Sequence, residues 1–207
     1  MPKTDSIFTQ IHRDSASRAR TGIIHLPHGD VQTPAFMPVG TNATVKAVTK
    51  EWLEEIGFEI ILANTYHLYL RPGTDIIEQA GGLHGFSGWK GNFLTDSGGY
   101  QVFSLADFRK ITREGVKFRS HIDGSSHFLT PESVVGLQAQ LNSDIQMQLD
   151  VCTGYDTEWK KAREALDITI DWTRRAKRAW LETKDEYQGK LFGIVQGNFY
   201  HDLRKES

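Results

Sequence analysis

Residues 92–105 read NFLTDSGGYQVFSL. The segment Asn92–Thr95 has the character of a short buried strand, and it breaks at once into Asp96, Ser97 and the pair Gly98–Gly99. A strand that ends in polar residues and a glycine turn, before apolar residues resume, is the start of a βα unit. The pattern recurs in both directions along the chain. EIILANTYHLYL (59–70) is apolar through Ala63 and turns polar at Asn64, Thr65, Tyr66 and His67. IQMQLDVC (145–152) carries Asp150 near its end, LFGIVQGN (191–198) carries Gln196 and Gly197, and AFMPVG (35–40) supplies a further strand. Helical segments lie between them. VTKEWLEEIG has Thr49 as a cap, Glu51, Glu54 and Glu55 behind it and Gly57 as a stop. TDIIEQAGG closes at Gly81–Gly82, and TPESVVGLQAQLNSD starts on Thr130 with Pro131 at the first helical position. Residues 157–184 hold Ala165, Leu166, Ile168, Ile170, Trp172, Ala176 and Trp180 near helical spacing, and HDLRKES begins a last helix.

Two segments alternate differently. Thr21–Met37, with a turn at PHGD, reads as an N-terminal β-hairpin, and KITREGVKFRSHIDGSSHFLT (110–130) reads as a β-hairpin insertion. The whole is an α/β chain of about five βα units, which implies a parallel sheet with right-handed crossovers. An open doubly wound sheet and part of a (β/α)8 TIM barrel both fit, and in either the chemistry gathers at the carboxyl ends of the strands. No G-x-G-x-x-G follows the first strand and no P-loop motif occurs, so a dinucleotide or P-loop site lacks its main support.

Composition narrows the function classes. The chain has 207 residues with 24 Lys+Arg against 26 Asp+Glu, a formal charge of −2, which excludes a globally basic nucleic-acid binder and leaves RNA contact to a local patch. Aromatic content of 11% argues against global disorder. Mean hydropathy is −0.43 and no apolar run approaches a membrane span, so no membrane partner is expected. The polar start MPKTDSIFTQIHRDSASRAR has no apolar region of a secretory signal. One cysteine, Cys152, excludes a disulfide framework and a cysteine-rich zinc site within these residues, and it fits a reducing cytoplasm.

The candidate site lies at three strand ends. At the first, Asp96 is a carboxylate, Gly98 and Gly99 let backbone approach a flat ligand, and Tyr100 offers a ring to stack on it. An Asp/Ser turn with glycines for geometry is an equal reading. At the second, Asp150 ends an apolar run, where a carboxylate is paired or functional, although a helix cap is the simpler explanation for one taken singly. Cys152 reads as a small buried hydrophobe rather than a nucleophile. At the third, the Gln196 amide can donate and accept, or cap a strand end. Taken together, two carboxylates, an amide and a ring match guanine, whose N1–H and N2–H2 donate and whose O6 accepts. Paired carboxylates also suit glycosidic chemistry. Asn64 is a supporting partner for a neighbouring strand-end carboxylate. His67 reads as structural, and Arg174, Arg175, Lys177 and Arg178 as a solvated helix face.

TPAFMPVGTNATVKAVT, LANTYHLYLRPG, FLTDSGGYQVFSL, QLDVCTGYD and FGIVQG resemble the tRNA-guanine transglycosylases, also called queuine tRNA-ribosyltransferases, of bacterial type. The resemblance covers most of residues 20–200. It implies a (β/α)8 barrel enzyme, a pentosyltransferase, that replaces guanine at the anticodon wobble position with a 7-deazaguanine, preQ1, in queuosine biosynthesis. An aspartate attacks the ribose C1′ and the incoming base captures the covalent RNA intermediate. By motif, Asp96 resembles the proton acceptor for the incoming base, with Ser97, Gly98, Gly99 and Tyr100 completing its loop. Asp150 resembles the base-edge carboxylate, and Gln196 with Gly197 the O6-side contact. Cys152 stands where bacterial-type members carry cysteine, which favours preQ1 over queuine. Val151 departs from the D-E-C pattern usual there.

The implied partners are tRNA, through its anticodon loop, and the free base; a homodimer is compatible with the resemblance. The implied cofactor is Zn2+ in a Cys-x-Cys-x-x-Cys…His site, whose ligands are expected beyond Ser207 together with the nucleophilic aspartate, so no metal ligand is assigned in this chain. Residues 1–207 are therefore expected to be the N-terminal portion of one barrel domain, about three units short of closure. Two further readings stand beside this one. The first is a truncated, non-catalytic base-binding fragment or partner subunit without the nucleophile. The second is a carboxylate-pair glycoside hydrolase, which Trp159, Trp172 and Trp180 disfavour because all three fall in the long helix rather than at strand ends.

Overall fold

A computed structural model describes residues 6–105, 108–183 and 186–207. Its strands are β1 (Phe8–Arg13), β2 (Arg20–Leu26), β3 (Gly29–Thr33), β4 (Ile60–Ala63), β5 (Asn92–Thr95), β6 (Arg109–Ile111), β7 (Val116–Arg119), β8 (Ser126–Leu129), β9 (Ile145–Met147) and β10 (Lys190–Phe192). The helices are α1 (Lys50–Ile56), α2 (Thr65–Leu70), α3 (Thr74–Gln79), α4 (Gly82–Ser87), α5 (Gly99–Leu105), α6 (Pro131–Gln140), α7 (Trp159–Thr183) and α8 (His201–Glu206). The apolar runs form one parallel sheet in the order β10-β9-β5-β4, as the recurring βα pattern requires. AFMPVG contributes less than a strand: it adds a single parallel bridge, Val39 to Leu62, at the β4 edge. Prolines at 34 and 38 remove the donors a longer ladder needs. The sheet is parallel and mixed with helices, and among the described residues it does not close into a barrel.

Both predicted hairpins gain a strand. β1 pairs with β2 and turns the N-terminal hairpin into a three-stranded antiparallel sheet. The insertion is a three-stranded meander, β6-β7-β8, because Phe108–Ile111 folds back on β7. Helix α2 occupies the stretch after Ala63 where the sequence shows only a change to polar residues, and α4 begins where Gly81–Gly82 was expected to end a helix. The α1 and α6 boundaries follow their caps. Thr49 accepts from Trp52 N, Gly57 ends α1 at φ +88°, and Thr130 and Ser133 form a reciprocal capping box. Helix α7 runs from Trp159, two residues after its predicted start at Thr157, to Thr183; Lys184 lies outside the described residues, as do residues 1–5 of the polar start.

The meander is not an appendage. Val116, Phe118 and Leu129 share a core with Tyr66, Val134 and Trp172, and the Trp172 Nε1 donates to Arg113 O at 2.8 Å. At the sheet centre a helix side chain stands in for a strand neighbour. β5 and β9 pair only at Leu94–Ile145 and Thr95–Gln146. Beyond that, the Gln138 Oε1 of α6 accepts from Met147 N (2.9 Å) and Thr95 Oγ1 (2.8 Å), while its Nε2 donates to Met147 O (2.9 Å). No helix among the described residues is long and apolar enough to cross a membrane.

Candidate functional site

Asp96 follows β5 and Asp150 follows β9, so both carboxylates stand at the carboxyl end of the parallel sheet. Neutral donors surround Asp96. Its Oδ2 accepts from Asn64 Nδ2 (2.5 Å) and Gln101 Nε2 (2.9 Å), and its Oδ1 from the backbone N–H of Thr65 (3.0 Å) and Gly98 (3.2 Å). The expected supporting role of Asn64 corresponds to the first of these contacts. Asp150, 8% exposed, accepts from Gln196 Nε2 (2.5 Å), Ser97 Oγ (3.3 Å) and Cys152 Sγ (3.5 Å). Gln196 reaches it from a loop four residues past β10, not from the strand end itself.

Burial pushes both carboxyls above the usual aspartate range, and the hydrogen bonds only partly offset it. The Cys152 thiol is pushed up to about 12 by burial and then by the Asp150 charge, which makes it a protonated donor rather than a nucleophile. No Lys or Arg bonds to either carboxylate among the described contacts. Two buried carboxylates held by amides, a hydroxyl and backbone N–H groups repel phosphate and favour a neutral ligand rich in N–H donors.

The glycines provide the approach. Gly98 has φ +79° and packs on Tyr66, and a Cβ at Gly99 would lie 2.9 Å from the main-chain oxygen and Oδ1 of Asp150. Gly197, at φ +106°, packs against Leu203 and Arg204 of α8 in the same way. Tyr100, the second residue of α5, is 63% exposed. His67 makes edge contacts with Tyr66 and His121 and sits near Asp96; burial and His121 lower its pKa against the pull of that carboxylate. In the basic run, Arg175 is bound to Glu132 while Arg174, Lys177 and Arg178 face solvent.

Three polar residues escaped the sequence reading. Gln101 binds Asp96, and Gln146 and Gln148, which precede Asp150 on the same segment, are buried with unpartnered amide atoms. Their signal was period two: 146, 148 and 150 are alternate positions of one extended segment and share a face.

These features define a class, an α/β protein with a buried polar site at the carboxyl ends of parallel strands. Comparison with known proteins gives the family: a model of queuine tRNA-ribosyltransferase matches residues 14–207, and the chain belongs to that family. It is 63% identical over 207 residues to a queuine tRNA-ribosyltransferase of Treponema denticola, covering 100% of this chain and 55% of that protein. Similar proteins of the same description occur in a Thermoanaerobacter species (57% identity; 96% of this chain, 52% of that protein) and Borrelia hermsii (54% identity; 97% and 54%). The chain spans about half the length of these curated relatives.

Proposed function

We propose that the chain carries the base-reading side of a tRNA base-exchange glycosyltransferase. In that reaction guanine at the anticodon wobble position leaves and preQ1 takes its place, on the route to queuosine. The observation that carries the reading is Asp150, a buried carboxylate held by the Gln196 amide and the Ser97 hydroxyl beside a glycine wall. Its oxygens suit the N1–H and N2–H2 of guanine. The Gln196 amide has a second N–H for O6, and Gly99 leaves room for the flat ring.

Asp96 takes the proton that the incoming base loses as its bond to the ribose C1′ forms. Burial raises the affinity of Asp96 for that proton, while Asn64, Thr65 and Gln101 hold the carboxylate in place. Tyr100 covers the ring face, and Gly197 sets the backbone at the O6 side. The Cys152 thiol packs on Asp150 and favours the smaller preQ1 over queuine. We assign the nucleophile to no residue of this chain.

The parallel sheet is read as one wall of a (β/α)8 barrel, with residues 1–207 its N-terminal portion, and the relatives are long enough to supply the rest. The proposed setting is the cytoplasm, with tRNA and the free base as partners and a homodimer compatible with the resemblance. The zinc site implied by the resemblance needs three cysteines, and Cys152 stands alone, so the residues present do not fit it and no step passes through zinc. The test is labelled-guanine exchange into tRNA by the full-length protein. Asp96→Ala should give little or no incorporation, and unchanged turnover overturns its role.

A further inference from the structure

A second polar cluster lies at the opposite end of the sheet. Asp144 immediately precedes β9 and is 1% exposed, a buried charge with no Lys or Arg partner among the described contacts. Its Oδ1 meets His28 Nδ1 at 2.6 Å, and its Oδ2 meets His84 Nε2 at 3.2 Å and accepts from Phe93 N at 2.7 Å. His28 lies in the turn between β2 and β3, and His84 in α4. The two imidazoles stack with centroids 3.5 Å apart and planes 17° apart, each turning a nitrogen to the same carboxylate. The Gly91 carbonyl lies 3.0 Å from His84 Nε2. The other nitrogen of that ring, Nδ1, is buried without a hydrogen-bond partner. One ligand atom from each of the three side chains lies within 4.8 Å of the other two.

We propose that His28, His84 and Asp144 bind one divalent transition-metal ion of the zinc class. Two imidazole nitrogens and a carboxylate oxygen form a borderline-soft donor set, which suits such ions and not Mg2+ or Ca2+. Three protein ligands leave a fourth position for the Gly91 carbonyl or water. Tetrahedral bonds of about 2.0–2.2 Å place donors about 3.3 Å apart, so the present spacings are those of the proton-bridged form. The ion displaces the hydrogens shared with Asp144, and each ring keeps its proton on the outer nitrogen. His28, about one-third exposed on its turn, swings outward to bring the ring lone pairs together. The bound ion neutralises the buried charge and clips the β2–β3 turn to α4 and β9. The site uses no cysteine and does not depend on the base-reading proposal.

The test is titration of the metal-free chain with ZnCl2 and, separately, CoCl2, read by calorimetry, cobalt visible absorption and thermal midpoint. One equivalent should bind with a tetrahedral-type cobalt band and a raised midpoint. Removal of a direct ligand should cost at least the ~10–100-fold typical of outer-shell partners, so His28→Ala and His84→Gln should each weaken binding at least tenfold. His28→Ala alters a partly exposed turn residue, and circular dichroism checks its fold, so it decides the matter if His84→Gln fails to fold. Equal affinity of wild type and His28→Ala overturns the proposal, as does displacement of Zn2+ by equimolar Mg2+ or Ca2+. Guanine binding should be the same in His28→Ala and wild type, which separates this site from the base pocket.

Discussion

Gly99 faces Asp150 so closely that a β-carbon on the glycine would stand 2.9 Å from both the main-chain oxygen and the Oδ1 of the aspartate. Alanine is the better helix former, by about 1 kcal/mol in a helix interior, yet here it moves the carboxylate. Gly99→Ala is expected to keep the far-ultraviolet spectrum of the chain and lower guanine affinity at least tenfold by calorimetry. Unchanged affinity would show that Asp150 does not touch the base.

Gln196 is the shortest side-chain contact of Asp150. Leaving a buried acceptor short of a donor costs roughly 1–3 kcal/mol. Gln196→Ala should lower guanine affinity by about that amount, near tenfold or more, because it removes both the prop for Asp150 and the donor for O6. Gln196→Glu should do worse at neutral pH by setting two carboxylates together. Calorimetry of both variants at one pH gives the order.

The raised pKa values of Asp96 and Asp150 have a pH consequence with a definite sign. As pH falls, both take up protons sooner than an ordinary aspartate and lose acceptor capacity, so on acidification guanine binding should begin to fail at a pH higher than the usual aspartate value of 3.8. For the fold the sign is opposite. A carboxyl with a raised folded pKa contributes stability below its unfolded pKa and loses it as pH rises through the folded one. Asp150→Asn should therefore raise the thermal midpoint at pH 7 while abolishing guanine binding. A lowered midpoint would contradict the burial argument.

Trp172 ties α7 to the meander through packing and its bond to Arg113 O. Trp172→Ala should cost about 3–5 kcal/mol. Trp172→Phe keeps most of the apolar contact and loses the hydrogen bond, about 1 kcal/mol. Urea unfolding measures both, and equal losses would mean the indole N–H dominates.

Much of the fold was legible because its signals are local. Thr49, Gly57 and Thr130 mark helix ends through their own side-chain or backbone chemistry, and the alternation of apolar strand with polar end marks the sheet. Strand β1 was hidden because Thr9–Arg13 are exposed and polar apart from Ile11, leaving pairing with β2 as their main signal. Asp96 and Asp150 were legible as polar residues closing apolar runs; Gln196 was legible as a polar residue after an apolar run, although it stands in a loop past β10 and not at the strand end. Gln101 was not, because a glutamine inside a helix looks like any exposed one until the turn of α5 brings it to Asp96. The His28–Asp144 contact spans 116 positions, a separation no local pattern carries.

The amide of Gln138 leaves a mark on the whole region. Where strands hold one another, their separation is dictated by the ladder, about 4.8 Å, and is the same in every protein. At the end of the β5–β9 ladder the Met147 backbone and the Thr95 hydroxyl are instead held by one glutamine side chain anchored on α6. Asp150 lies three residues downstream of that anchor. The slot between Gly99 and Asp150 thus leans on a residue that is itself fully buried on a helix, and Gln138→Asn, one methylene shorter, is expected to disturb it by withdrawing the amide from Met147 and Thr95.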